Sequence, residues 1–404
     1  MNNFGTLYHY EVKKIISRKL VWIMFLLCIF VIGVVVPGNL LGKYYVDGKE
    51  VDTHYHMFQV DRGYQEALSG RAVDQALLEE AMTAYGKIPI TAERYTLTQE
   101  YQTYARPYSE IFNLVRSWAQ LDMEEAMAWE PDEEALYAAR RETVEKQWQT
   151  LWLSDTEKEF WRKKEAQMNT PVTYYYCDGY NMAINGIVPV GLLVLLFVSV
   201  CLSSVFTEEH TRRTDQLILS GAKGKSIIYW AKIAAGVSVS AVCALLMAMS
   251  ACGFAWGIYG AKGFGASLRI SSSMWSYSYP LTVGQACLIA YGSLIVTAVF
   301  VSVLVLVLSE VLHNNIATLA VCVGAILAGM MFNIPIQYRA AAQLWNWSPV
   351  RFFASWNVFD VWTLPVFGHC FVSWQIVPVF YVVFGIAVAV AGKSAWRNYQ
   401  VSGR

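Results

Sequence analysis

Apolar residues along this chain of 404 gather into six long blocks, separated by polar segments of very unequal length. The blocks run approximately over 20–41, 182–206, 227–257, 281–308, 316–332 and 375–391. A helix of roughly 20 residues crosses a hydrocarbon layer about 30 Å thick, so each block predicts a membrane span, the last one short but uninterrupted by charge. The first block follows Lys13, Lys14, Arg18 and Lys19, as a signal peptide would. Its run is too long for a signal core of roughly 7–15 residues, and Val36-Pro37-Gly38 lacks a small-x-small cleavage pattern, which predicts a retained span.

The long polar segment 43–180 is itself patterned. Tyr101, Tyr104, Tyr108, Ile111, Phe112, Val115 and Trp118 recur at three- and four-residue spacing, which predicts one buried face of a helix kinked near Pro107. Pro131 followed by Asp132, Glu133 and Glu134, with Arg140, Arg141 and Lys146 beyond, reads as a helix start with charges placed to favour the macrodipole. Ser154 with Glu157 forms a capping box for another helix, to about Met168. A segment of this length holds a core of its own. The fold class predicted is an all-α polytopic membrane protein. It has six transmembrane helices and a large, mainly helical extracytoplasmic domain between helices 1 and 2.

Composition agrees: 55% of residues are hydrophobic, 14% aromatic and 15% charged, against about 25% charged in soluble proteins. Formal net charge is zero, with 31 basic and 31 acidic residues, which excludes a strongly basic nucleic-acid binder. The zero conceals a segregation. Residues 43–180 carry 25 acidic against 15 basic side chains, net −10, leaving 16 basic and 6 acidic elsewhere, net +10. Lys13, Lys14, Arg18, Lys19, Arg212, Arg213, Lys223, Lys225, Lys232, Lys393, Arg397 and Arg404 fall on one side of the predicted spans. The positive-inside rule makes that side, with both termini, cytoplasmic.

Candidate chemistry is sparse. Gly224-Lys225-Ser226 resembles the end of a phosphate-binding loop, but Leu219 stands where that loop needs glycine, so no nucleotide cradle is predicted in this chain. His54 and His56 form an HxH able to line a strand, yet no third metal ligand is implied and they read as surface histidines. HExxH, GxSxG and EF-hand patterns are absent. Six of the eight cysteines fall in or beside spans; Cys177 and Cys370 are the two placed to meet outside, and sequence separation does not establish a disulfide. The spans contain almost no ionisable residues, which argues against a proton relay and for a machine driven from elsewhere.

The most informative stretch is 206–232. Carboxylates Glu208 and Glu209 stand at a span end, followed by Thr214, the apolar Leu217-Ile218-Leu219, the break Ser220-Gly221, basic Lys223 and Lys225, and Lys232 entering the next span. A short amphipathic helix on the membrane surface is the minimum reading. This order resembles the cytoplasmic loop of the membrane subunits of type-two ABC transporters, with Arg213-Thr214 in place of the family's Gly-Thr. The resemblance implies that the loop is a coupling helix seated in a groove of an ATP-binding subunit. Contact residues would be Arg212, Arg213, Thr214, Leu217, Ile218, Gly221, Lys223 and Lys225, with Glu208, Glu209 and Lys232 as charges that hold the loop.

Two further regions resemble the same family. Within residues 1–19, the stretch Tyr8–Lys19 alternates apolar and charged positions in helical phase and resembles its interfacial elbow helix. The aromatic segment 335–374, with Trp345, Trp347, Phe352, Phe353, Trp356, Phe359, Trp362, Phe367 and Trp374, is predicted to settle at the outer interface and resembles the family's re-entrant outer helices. The domain reading is therefore 1–19 elbow, 20–42 first span, 43–180 outer domain and 181–404 spans two to six. The resemblance implies a non-catalytic permease of an ATP-driven exporter in a bacterial cell membrane, paired with a second permease and surrounded by lipid. It holds no cofactor of its own, ATP and Mg being bound by the partner ATPase, and moves a peptide, drug or lipid-like cargo. The alternative is a sensor or mechanotransmitter whose outer domain binds an envelope ligand without transport. An envelope enzyme in 43–180 would need a nucleophile or metal signature that the sequence lacks.

Overall fold

The computed structural model describes residues 4–46, 49–89, 95–211 and 226–398. Helix α1 (Phe4–Ile16) turns into α2 (Lys19–Val35), and hairpin β1 (Lys43–Val46) and β2 (Lys49–Thr53) leads to α3 (His54–Leu68), α4 (Gln75–Tyr85), α5 (Ser109–Ala119), α6 (Met123–Met127), α7 (Glu133–Thr150) and α8 (Asp155–Glu165). Next come α9 (Asp178–Asn185), α10 (Ile187–Leu202), α11 (Thr207–Thr211), α12 (Ile227–Tyr259), α13 (Val283–Leu312), α14 (Asn315–Met331), α15 (Arg339–Asn346) and α16 (Ser355–Val358). A second hairpin, β3 (Thr363–Val366) and β4 (His369–Val372), enters α17 (Ser373–Asn398).

Among the described residues, four helices are long and apolar enough to cross a membrane: Ile187–Glu209, Ile227–Tyr259, Val283–Leu312 and Ser373–Arg397. The number rises to six if two bent pairs each count as one span: Phe4–Ile16 with Lys19–Val35, bent by 63°, and Asn315–Met331 with Ile336–Asn346, bent by 113°. The first apolar block outruns its helix because Pro37, which has no N–H to donate, follows the last turn. The last block, which looked short, becomes a helix of 26 residues. Its polar final turns are retained because Trp396 is fully buried there. Helix α13 is the bundle's central element, packed against α10, α12, α14 and α17. Leu26, Phe30, Leu327, Met331, Val383 and Ile386 are left exposed on the outer helices, an apolar exterior of the kind that lipid covers.

The polar segment has a separate core of Leu77, Leu78, Ile111, Phe112, Val115, Trp118, Leu136 and Tyr137. Tyr85 stacks on Phe112 with ring centroids 3.7 Å apart. The predicted kink near Pro107 takes the form of a π-turn at Tyr101–Ala105 and a 3-10 turn at Arg106–Tyr108 ahead of α5. Helix α7 is capped by Asp132, whose carboxylate accepts from Ala135 N at 2.9 Å, so Pro131 stands before the cap. The Ser154–Glu157 capping box closes in both directions, and α8 ends at Glu165, short of Met168.

Two questions that the sequence left open are answered, and one expectation needs correction. All eight cysteines are free: Cys177 is buried at the start of α9, where Asn181 Nδ2 donates to its sulfur at 3.5 Å, while Cys370 lies on the β3–β4 hairpin. His54 and His56 begin a helix capped by Thr53 and do not share a strand face; His56 Nδ1 is engaged by Asp52 at 2.8 Å. The aromatic residues of 335–374, expected to settle at an interface, do not all do so. Phe352, Phe353, Phe359 and Trp362 are buried in the packing between helices, leaving Trp356 and Phe367 exposed.

Candidate functional site

The charges that flank the 206–232 loop converge at one end of the bundle. Lys232, on the second turn of α12, is wholly buried. Its ammonium donates to Glu209 Oε1 at 2.6 Å, to Val205 O at 3.2 Å and to Glu11 Oε2 at 3.3 Å. Glu209 also receives Lys14 Nζ at 2.8 Å. One turn along, Arg18 donates to Glu208 Oε2 and to Ser204 Oγ, both at 2.6 Å. Among the described residues, two carboxylates and two ammonium groups thus share the inner cluster, so their charges cancel. That balance, with a close partner for every ion, is what permits burial.

Local sequence places each member. Glu11, Lys14 and Arg18 stand at i, i+3 and i+7, so α1 and the turn after it present them along one side. Gly5 to Ser17 otherwise carries the apolar residues that lay α1 against α12, and Ile15 is fully buried there. Glu208 and Glu209 continue the α10 helix past its apolar run. Aromatic rings close the cluster: Lys232 Nζ lies 5.3 Å from the Phe206 centroid, and Phe206 meets Tyr229 at 5.7 Å and Trp396 at 5.6 Å. Tyr229 O–H in turn donates to Ala389 O at 2.7 Å, tying α12 to α17.

Of the residues singled out from sequence, the structure brings Glu209 and Lys232 into direct contact and places Glu208 beside them. Arg212, Arg213, Thr214, Leu217, Ile218, Gly221, Lys223 and Lys225 lie outside the described residues. Sequence reading missed Glu11, Lys14 and Arg18 as partners, having used the two basic residues for topology alone; their shared helical phase was the signal. It also missed Glu310, buried with 1% exposure, because α13 runs to Leu312 and not to 308. Glu310 adds one buried carboxylate to Lys232, the ionisable residue that the sequence already placed at the head of a span. Next to Glu310, Ser309 Oγ donates to Ser203 O at 2.7 Å and joins α13 to α10.

A second polar junction ties the domain of residues 43–180 to the aromatic segment. Glu157, at the start of α8, accepts from Ser154 N at 2.9 Å, Thr363 N at 2.9 Å and Thr363 Oγ1 at 3.2 Å, and pairs with Arg339. Trp161 Nε1 donates to Val361 O at 2.8 Å and Trp362 Nε1 to Leu151 O at 2.9 Å, one bond in each direction. Burial pushes the Glu157 carboxyl up, but Arg339 and these donors outweigh it and hold the group below the usual carboxylate range. Nearby, burial drives Asp360 up to about 7.

No family model, curated protein or solved structure matches this chain. What the fold and site define is a mostly helical chain with, among the described residues, four to six helices long and apolar enough to cross a membrane. It carries a polar helical domain and a neutral, buried ion cluster that fixes both ends of the 206–232 loop.

Proposed function

We propose that this chain is the membrane-spanning permease subunit of an ATP-driven exporter resembling the type-two ABC transporters. In this reading six spans cross a bacterial cell membrane with both termini cytoplasmic, and residues 43–180 form the extracytoplasmic domain. The chain pairs with a second permease and docks separate ATP-binding subunits through the 206–232 loop. ATP and Mg are bound by those partners, and the cargo is a peptide, a drug or a lipid-like molecule.

The observation that carries the proposal is the anchoring of the loop at both ends. Glu208 and Glu209 precede it, Lys232 follows it, and the same two carboxylates bind α1 through Arg18 and Lys14. A loop held in this way cannot absorb a push by flexing at its roots. Displacement by a docked partner passes into α10, α12 and α1 together, as a two-state coupling element requires. A loop serving topology alone has no need of a buried charge cluster beneath it.

Affinity purification of the full chain in mild detergent, followed by mass spectrometry and an ATPase assay, tests the proposal. An ATP-binding subunit should co-purify, and Arg213→Glu with Thr214→Pro should abolish its association while leaving membrane insertion intact. Retained association would show the docking assignment to be wrong. A chain that purifies alone and inert would overturn the permease reading.

A further inference from the structure

The polar domain holds a cavity of about 360 Å³ between α7, α8 and the loop before α13, within the size range of small-molecule sites. Four guanidinium groups line it, Arg140, Arg141, Arg162 and Arg269, against two carboxylates, Glu145 and Glu165. Arg140 pairs with Glu165, and Arg162 Nε with Glu145 at 2.9 Å. Among the described residues Arg141 and Arg269 form no ion pair with a carboxylate, so the lining keeps two positive charges against a segment, 43–180, whose net charge is −10. Such a reversal of sign in a walled hollow concentrates anions.

Two buried atoms indicate what the anion carries. Arg269 is 3% exposed, and although its Nη2 donates to Asn169 O, its Nε is buried with no hydrogen-bond partner. Glu165 Oε2 is likewise buried without a donor. A buried, unmatched guanidinium N–H and a buried, unmatched carboxylate oxygen both carry a desolvation cost. Arg269 and Arg140 also repel each other, and burial together with that repulsion lowers the Arg269 pKa from its ordinary value. A ligand with anionic oxygens and one acidic hydroxyl satisfies both atoms at once. Val144 and Trp148 supply an apolar wall on the same cavity.

We infer that this cavity is a binding site for a phosphate monoester, in its singly protonated form, attached to an apolar group. Its P–O⁻ oxygens accept from Arg269 and Arg141, its P–OH donates to Glu165, and the substituent lies against Val144 and Trp148. A plain dianion leaves Glu165 unsatisfied and a zwitterion brings no net negative charge, whereas the singly protonated monoester meets Glu165 and offsets one of the two excess positive charges. The site is independent of the exporter proposal, since its lining comes from α7, α8, the segment after α8 and the loop before α13.

The test is calorimetric titration of phenyl phosphate into the full chain held in phosphatidylcholine nanodiscs. Saturable binding at one ligand per chain is expected, with Arg269→Gln weakening it about tenfold, the size of a lost charge-assisted hydrogen bond. Arg141→Glu should weaken it about fivefold by reversing an exposed charge; this residue has no role in the core, so it decides the matter if Arg269→Gln fails to fold. Repeating the titration in nanodiscs that also contain phosphatidic acid separates the two sources of this headgroup. Competition assigns the site to a lipid phosphate, and undiminished affinity assigns it to a soluble monoester. Absence of saturable binding, or affinity unchanged in Arg141→Glu and in folded Arg269→Gln, overturns the inference.

Discussion

Replacing Lys232 by Met keeps the length of the buried side chain and removes its charge, and the consequence follows from the geometry of the cluster. The ammonium is fully buried and sits 2.6 Å from Glu209 and 3.3 Å from Glu11. Without it, among the described residues the two carboxylates share Lys14, and the cluster has lost one of its two positive charges. Removing one partner of a buried pair costs about 3–5 kcal/mol, most of it the desolvation of the ion left behind. Neutralising the opposite side as well, with Glu209→Gln, restores the balance by leaving Glu11 with Lys14. The double variant should therefore lose less stability than the sum of the single variants, by about 2 kcal/mol or more. Tryptophan fluorescence during thermal unfolding in detergent is a suitable readout, because Trp396 is buried 5.6 Å from Phe206 in the same packing. Lys232→Met should lower the midpoint by on the order of 5 °C. An unchanged midpoint, or strictly additive single and double variants, would refute the claim that these ions stabilise one another.

Three other consequences are open to direct measurement. Burial, reinforced by Asp178 and Asp61, raises the Glu110 carboxyl to about 7. The folded state then holds its proton more tightly than the unfolded state, so this contribution to stability is complete in acid, falls as pH rises from about 4.5 to about 7, and has cost about 3 kcal/mol above that window. Glu110→Gln should match the wild type in acid and exceed its thermal midpoint near pH 8; a variant less stable at both would contradict the assignment. Glu157→Gln should weaken the junction with Thr363 and Arg339 by about 2–4 kcal/mol, seen as faster amide exchange over 151–165 and 361–374 with the 206–232 end unaffected. Gly179→Ala places a Cβ 1.9 Å from Gly260 O, a backbone atom that cannot rotate away, whereas Gly236→Ala meets only a methyl of Leu306 at 2.7 Å. The first should cost about 1–3 kcal/mol or more and the second much less; equal thermal midpoints would show that α9 and the end of α12 are not held as tightly as drawn.

Apolar blocks and capping signals in the sequence located most helices, because both are local. Ser154 and Glu157 are three residues apart, and their box required no knowledge of the rest of the chain. Helix ends were less legible: Pro37 cut one block short, and the burial of Trp396 carried α17 past the charges that seemed to end it. Burial inside the aromatic segment was illegible because composition does not say whether a Phe faces lipid or another helix. Phe352 and Phe359 are set by neighbours dozens or hundreds of residues away, and the same holds for Trp362, whose indole donates to Leu151 O across 211 positions.

The ion cluster shows the same division more sharply. Glu208, Glu209 and Lys232 could be singled out because they flank one loop, but their meaning depends on α1, about 200 positions earlier. Among the described residues, Lys14 and Arg18 are the partners through which Glu209 and Glu208 reach that helix. A positive charge at the start of a chain serves topology whether or not it pairs with anything, so the positive-inside rule accounts for Lys14 and Arg18 completely and conceals their second role. What separates the roles is spacing. Topology asks only that basic residues be present, whereas pairing with two adjacent carboxylates and a buried lysine asks for Glu11, Lys14 and Arg18 at i, i+3 and i+7. Exchanging Val12 and Lys14 would preserve the charge count and take from Glu209 the cation that Lys14 supplies.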